Sequence, residues 1–156
     1  MTKDNHLQSG TLAPAFKATD HTGAMVALDD FAGSKLIMYF YPKAFTPGCT
    51  AESCDFRDNH KALSAAGYQI VGISPDEPGR LAEFKTEHNL SFPLLSDEDH
   101  AIAKAYGAWG TKKNYGREYE GMIRSTFAID EQGTIQRAWY NIRAKGHAAR
   151  VTRELA

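Results

Sequence analysis

Apolar residues along this 156-residue chain alternate between short continuous runs and stripes at helical spacing. KLIMYFY, residues 35–41, is an uninterrupted apolar run rich in β-formers. Its lack of polar alternation predicts a strand covered on both faces, as in a parallel sheet. YQIVGISPD predicts a second strand of the same kind. Between them, from Pro47 to about Ala66, the period becomes helical: Phe56, Leu63 and Ala66 recur at that spacing, and Gly67 is a natural stop. Residues 77–89 predict a helix carrying Leu81 and Phe84, FPLLSD a short strand, and EDHAIAKAYG a helix closed by Gly107. FKATDHTGAMVAL reads as two strands around a turn at Asp20-His21-Thr22-Gly23. STFAID and TIQRAWY flank Glu131-Gln132-Gly133 as a β-hairpin, and residues from His147 on read as a short amphipathic helix. The polar, glycine-containing segment 109–121 reads as a loop, and residues 1–10 as a frayed end.

The predicted order is a β-hairpin, then β-α-β-α-β-α, then a second hairpin and a terminal helix. Strands alternating with helices and followed by an antiparallel pair imply a mixed central sheet with helices on both faces. The expected fold is therefore α/β and thioredoxin-like, with an N-terminal β-hairpin. A chain of this length is expected to form one domain over residues 1–156.

Composition removes several classes of function. A net charge of −1 leaves no basic footprint for nucleic acid, and no polybasic tract suggests a membrane surface. The start, MTKDNHLQSG, lacks the apolar core of a secretory signal, and LIMYFY is too short to span a bilayer. The expected setting is cytoplasmic. The six histidines, at 6, 21, 60, 88, 100 and 147, show no metal-ligand pairing, so neither a metal nor another cofactor is expected. Two cysteines are too few for a disulfide scaffold and would rest as thiols in a reducing compartment.

The first cysteine sits in an unusual setting, YPKAFTPGCT. Pro42 cannot donate to a central ladder and so ends the strand. Thr46-Pro47 reads as a helix start, with Thr46 as N-cap and Pro47 at the first helical position. Cys49 then falls in the first turn, where unpaired N–H groups carry partial positive charge. Thiols there ionise well below their usual value of about 8.5. Gly48 lets a ligand approach the backbone closely. A small buried hydrophobe and an activated nucleophile both fit Cys49 on these grounds.

Cys54 follows five residues later, which is neither the CxxC redox spacing nor a zinc pair. Five helical residues advance about 7.5 Å and turn about 140°, placing the two Cα atoms about 8.5 Å apart. A disulfide needs them within about 7 Å. Either Cys54 is a core residue, or the helix unwinds for the sulfurs to meet.

PKAFTPGCTAESC resembles the peroxiredoxin signature P-x-x-x-T-x-x-C, with Pro42, Thr46 and Cys49 in register. The extended T-P-G-C-T-x-E-x-C form is similar to the bacterioferritin-comigratory-protein, or PrxQ, branch. The resemblance covers nearly the whole chain, through APAF, SPD, FPLLSD, RSTFAID and KGHA. It implies a thiol peroxidase acting on hydrogen peroxide and organic hydroperoxides. Cys49 would be the attacking cysteine, Thr46 would hold thiolate and peroxide, Pro42 would shield the sulfur, and Arg124 would stabilise the developing charge. Glu52, at the T-x-E position, would organise hydrogen bonds, or simply complement the helix dipole from the first turn. Phe45 would form part of an apolar wall. Cys54 would resolve the sulfenic acid as an intramolecular disulfide with Cys49, re-reduced by a thioredoxin-like protein. The branch also implies a monomer.

Two other readings fit a thioredoxin-like fold. A disulfide reductase is disfavoured by the missing CxxC. A binding or holdase module with two inert thiols is separated from an enzyme by the reactivity of Cys49.

Overall fold

The computed structural model describes residues 6–114 and 116–155. Its centre is a seven-stranded sheet in the order β2-β1-β5-β4-β3-β8-β9. The strands are β1 (Lys17–Asp20), β2 (Met25–Ala27), β3 (Lys35–Phe40), β4 (Tyr68–Ser74), β5 (Leu94–Ser96), β8 (Ser125–Ile129) and β9 (Ile135–Trp139). β3, β4 and β5 run parallel, while β1–β2, β1–β5, β3–β8 and β8–β9 are antiparallel. The helices are α1 (Pro47–Ala65), α2 (Pro78–Glu87), α3 (Ala101–Ala105) and α4 (His147–Leu155). The mixed sheet expected from the apolar runs is present, with helices on both faces.

Side-chain alternation along β3 divides the core in two. Ile37, Tyr39 and Tyr41 point into a cluster with Phe56 and Leu63 of α1, Leu81 and Phe84 of α2, and Val151 of α4. Leu36, Met38 and Phe40 point the other way, to Ile102 of α3, Tyr106, Phe127 and Ile135. Both faces of β3 are thus sealed, which is why its sequence shows no polar alternation. Gly67, at φ +93°, closes α1 in the left-handed conformation that glycine adopts without penalty.

Two expectations require correction. Segment 109–121 is not a loop. It forms a separate antiparallel pair, β6 (Trp109–Asn114) with β7 (Arg117–Met122), registered Trp109 to Met122. Its charged residues hid the strands because this hairpin is not part of the central sheet, and Arg117 to Glu120 are exposed. Tyr115, within that stretch, lies outside the described residues.

The frayed start is also wrong for residues 6–10, whereas residues 1–5 of that stretch lie outside the described residues. His6 stacks on Tyr140 at 3.7 Å, Leu7 N donates to Tyr140 Oη at 2.8 Å, and Gly10 N donates to Ile135 O at 2.8 Å. The polar segment is held by backbone groups, which composition does not report. Among the described residues, no helix is long and apolar enough to cross a membrane.

Candidate active site

β3 delivers the chain to the site and α1 begins it. The connecting loop is fixed by the turn after β4. Ala44 N donates to Asp76 Oδ2 at 2.7 Å, Ser74 Oγ donates to the same oxygen at 2.8 Å, and Ser96 Oγ donates to Asp76 O at 2.6 Å. The S-P-D motif is therefore a clamp on the loop that precedes Cys49. Phe45 has φ +69°, unusual for a side chain with a Cβ. Its ring lies against Phe84 and His88, with the Arg80 guanidinium 4.7 Å from its centre. That packing on α2 offsets the local backbone cost.

Thr46 occupies the N-cap position of α1, with Pro47 following, as expected. Its hydroxyl does not cap the helix, however. Thr46 Oγ1 donates to Lys43 O at 2.8 Å, and only its carbonyl joins the helix, accepting from Thr50 N at 2.9 Å. The first-turn N–H groups therefore lack a side-chain acceptor from Thr46, which leaves the helix start electropositive. Pro42 follows the last residues of β3 and is half-buried.

Cys49 is fully buried at the start of α1, and Arg124, at the entry to β8, reaches it from 75 residues away. Arg124 Nη2 lies 3.3 Å from Cys49 Sγ, and Nη1 lies 2.6 Å from Glu52 Oε1. One planar guanidinium thus holds both groups, a geometry that lysine cannot reproduce. Gly48 lies beside it: a Cβ there would sit in ordinary contact, 3.4 Å from Nη2 and 3.9 Å from Ala144 Cβ.

Glu52 is not in the first turn as expected; it lies one turn further along α1, with no exposed surface. Burial pushes its carboxyl up to about 7, with the Arg124 charge and hydrogen bond acting in the opposite sense. Burial alone would lower Arg124, but the charges of Glu52 and Cys49 win and raise it. Among the described residues, Glu52 Oε2 has no hydrogen-bond partner.

Cys54 is half-buried within the same unbroken helix, and both cysteines are free thiols. Arg57 is held elsewhere, by Asp58 and by the carbonyl of His88, and Arg117 lies on the exposed part of β7. Of these three arginines, Arg124 is the one placed against Cys49.

Residues that the sequence analysis passed over also surround the site. Asp76 clamps the loop, and Lys112 of β6 donates to Met122 O at 2.8 Å. Lys112 lines a cleft with Arg124. His147, the first residue of α4, is buried against Phe56 of α1 and meets Thr126 Oγ1 through Nε2 at 2.8 Å, and burial lowers it to about 4. The signal for Asp76 was present as an SPD turn after a buried strand. Lys112 had none, because its segment read as a loop.

A buried thiol beside a fixed cation, in the electropositive first turn of a helix, is arranged to hold a sulfur nucleophile and to stabilise charge leaving it. Comparisons with known proteins give the family. The family described as AhpC/TSA matches residues 9–138. Peroxiredoxin Bcp of Bacillus subtilis is 42% identical over 149 residues, covering 96% of this chain and 95% of its own length. A provisionally named peroxiredoxin of Mycobacterium tuberculosis is 50% identical over 156 residues, covering 100% and 99%. Among solved structures, the bacterioferritin comigratory protein of Xanthomonas campestris, studied for alkyl peroxide reduction, superposes with a TM-score of 0.85. It is 34% identical, over 90% of this chain and 89% of its own. The family's chemistry is reduction of peroxides at the expense of a thiol. The chain belongs to the AhpC/TSA family, as an antioxidant thiol peroxidase of the bacterioferritin-comigratory-protein, or PrxQ, type.

Proposed function

We propose that this peroxiredoxin, a single-domain enzyme over residues 1–156, reduces hydrogen peroxide and organic hydroperoxides by a two-cysteine cycle within one chain. The observation that carries the reading is the guanidinium of Arg124 bridging Cys49 Sγ and Glu52. The Cys49 thiolate attacks the terminal peroxide oxygen, forming S–O while the O–O bond breaks. The departing alkoxide or hydroxide takes a proton and leaves as alcohol or water, and Cys49 becomes a sulfenic acid. Arg124 stabilises first the thiolate and then the oxygen anion that replaces it. Thr46 turns its hydroxyl from Lys43 O toward the peroxide, Pro42 keeps water from the sulfur, and Gly48 leaves room for the approach. Glu52 fixes the angle of the guanidinium, and Phe45 walls the entry from the α2 side.

Cys54 then attacks the sulfenic sulfur, releasing water and forming the Cys49–Cys54 disulfide. In α1 the two Cα atoms stand about 8.5 Å apart, so the first turns must open for this step. A thioredoxin-like dithiol restores both thiols by exchange. Every group in the cycle comes from one chain, which suits a monomer, and the need for a dithiol reductant suits the cytoplasm.

Peroxide consumption coupled to thioredoxin and its reductase tests the assignment. Wild type turns over, Cys49→Ser does not, and Cys54→Ser shows little turnover. Full activity in Cys49→Ser would sink it.

A further inference from the structure

The loop before α1 is strained and held at one point. Phe45 sits at φ +69°, a region that a residue with a Cβ adopts at a cost. Ala44, beside it, is buried, and its N–H donates to Asp76 Oδ2 at 2.7 Å. Among the described residues, no other hydrogen bond ties residues 42–46 to the sheet or to α2. Thr46 Oγ1 donates within the loop, to Lys43 O, and Thr46 O accepts from Thr50 N of α1.

The acceptor side is built differently. Asp76 Oδ2 also accepts from Ser74 Oγ at 2.8 Å, Asp76 O accepts from Ser96 Oγ at 2.6 Å, and Asp97 N donates to Ser74 O at 2.8 Å. These bonds seat Asp76 on the ends of β4 and β5, which pair in the central sheet. One carboxylate oxygen on a fixed frame thus holds a strained loop that runs directly into the first turn of α1. Without that oxygen the closed loop would leave a buried N–H unpaired, whereas an open loop would give it to water.

Cys49 is fully buried, Cys54 is half-buried, and the two lie about 140° apart around α1. Cys49 has to leave the core to meet Cys54. The Ala44–Asp76 bond stands where the chain that opens meets the frame that does not.

We propose that Asp76 is a positioning residue that latches this loop closed, and that the latch sets which of two reactions the Cys49 sulfenic acid undergoes. In the open form the Cys54 thiol attacks the sulfenic sulfur, giving the disulfide and water. In the closed form the sulfenate, still beside Arg124, meets a second peroxide. Its sulfur gains one oxygen, the O–O bond breaks, and the other peroxide oxygen leaves as alcohol or water, giving a sulfinate. A tighter latch prolongs the closed form and raises the share of sulfinate. The inference rests on the two-cysteine cycle proposed above.

The test follows reduced wild type, Asp76→Ala, Asp76→Asn and Ile135→Val after mixing with hydrogen peroxide, by rapid quench and intact mass. Ile135 is buried in the cluster on the other face of the sheet, so Ile135→Val lowers stability without touching the loop. Asp76→Ala should pass from sulfenic acid to disulfide about tenfold faster, the scale of one buried hydrogen bond, and need about tenfold more peroxide for the same sulfinate yield. Its first step, loss of the reduced thiol, should be nearly unchanged. Asp76→Asn should fall between, since its amide oxygen still accepts from Ala44 N. In wild type, hydrogen exchange at the Ala44 amide, read by NMR, should be slow in the reduced protein and fast in the disulfide form. The inference is overturned if Asp76→Ala partitions like wild type, or if Ile135→Val shifts the partition as far. Equal protection of the Ala44 amide in both forms also overturns it, and that measurement needs no variant to fold. A wild type that forms no Cys49–Cys54 disulfide overturns the two-cysteine cycle, and the inference with it.

Discussion

Glu52 Oε1 accepts a hydrogen bond from Arg124 Nη1 at 2.6 Å while its carboxyl is wholly buried. Its second oxygen has no partner among the described residues. The pair fixes the guanidinium that meets Cys49, and it leaves a marked trace in stability. Protonated Glu52 is favoured by the fold between its ordinary value of 4.5 and about 7. In that window the folded state binds more protons than the unfolded chain, so Glu52 lowers stability as pH rises from 4.5 to 7 and adds no further slope above. Urea unfolding across this range should show wild type losing stability relative to Glu52→Gln. A constant difference between them would contradict the buried carboxyl.

Arg124 bridges Glu52 and Cys49 with separate nitrogens, so charge alone does not replace it. Arg124→Gln should slow single-turnover oxidation of Cys49 by hydrogen peroxide by about 100- to 1,000-fold, the usual cost of one preorganised donor at a developing charge. Arg124→Lys should recover only part of this, because an ammonium cannot span both partners. Full recovery with lysine would show that the bridge geometry is irrelevant.

Gly72 of β4 is paired with Tyr39 of β3. A Cβ there would lie 2.8 Å from Tyr39 Cζ and 2.9 Å from Leu94 Cδ2. Tyr39 Oη in turn meets Ser53 Oγ at 2.8 Å on α1, one residue from Glu52. Gly72→Ala should therefore destabilise by about 1–3 kcal/mol through overpacking. Thermal unfolding with no measurable loss would mean that the tyrosine relocates freely.

The apolar runs made most of this fold legible. KLIMYFY and YQIVGIS are buried on both faces, and their lack of alternation announced it. Phe56 and Leu63 marked the buried stripe of α1. The hairpin 109–122 escaped because exposed, charged strands carry no hydrophobic period. At the site, the TPGC stretch placed Cys49, but Arg124 has no local signature and came only from family resemblance. Glu52 was left between organising hydrogen bonds and complementing the helix dipole, because a bond to a residue 72 positions away is invisible in sequence. Thr46 was right in position and wrong in its bond: its hydroxyl donates to Lys43 O and caps no first-turn N–H. Gly72 did carry a signal, a glycine inside a strand pattern, which marks close approach.

Opening of α1 gives a separate prediction. Hydrogen exchange over residues 47–58 should be slow in the reduced protein and much faster once the Cys49–Cys54 disulfide has formed. The later part of the helix, around Leu63, should remain protected in both forms. Equal protection of the first turns would contradict the unwinding step.

The central claim is that Cys49 takes the peroxide oxygen and Cys54 removes it. Intact mass after one equivalent of hydrogen peroxide tests it most directly. Wild type should lose two hydrogens as a disulfide forms, Cys54→Ser should gain one oxygen, and Cys49→Ser should stay unchanged. Oxygen gained by Cys49→Ser, or no oxygen gained by Cys54→Ser, would contradict the account.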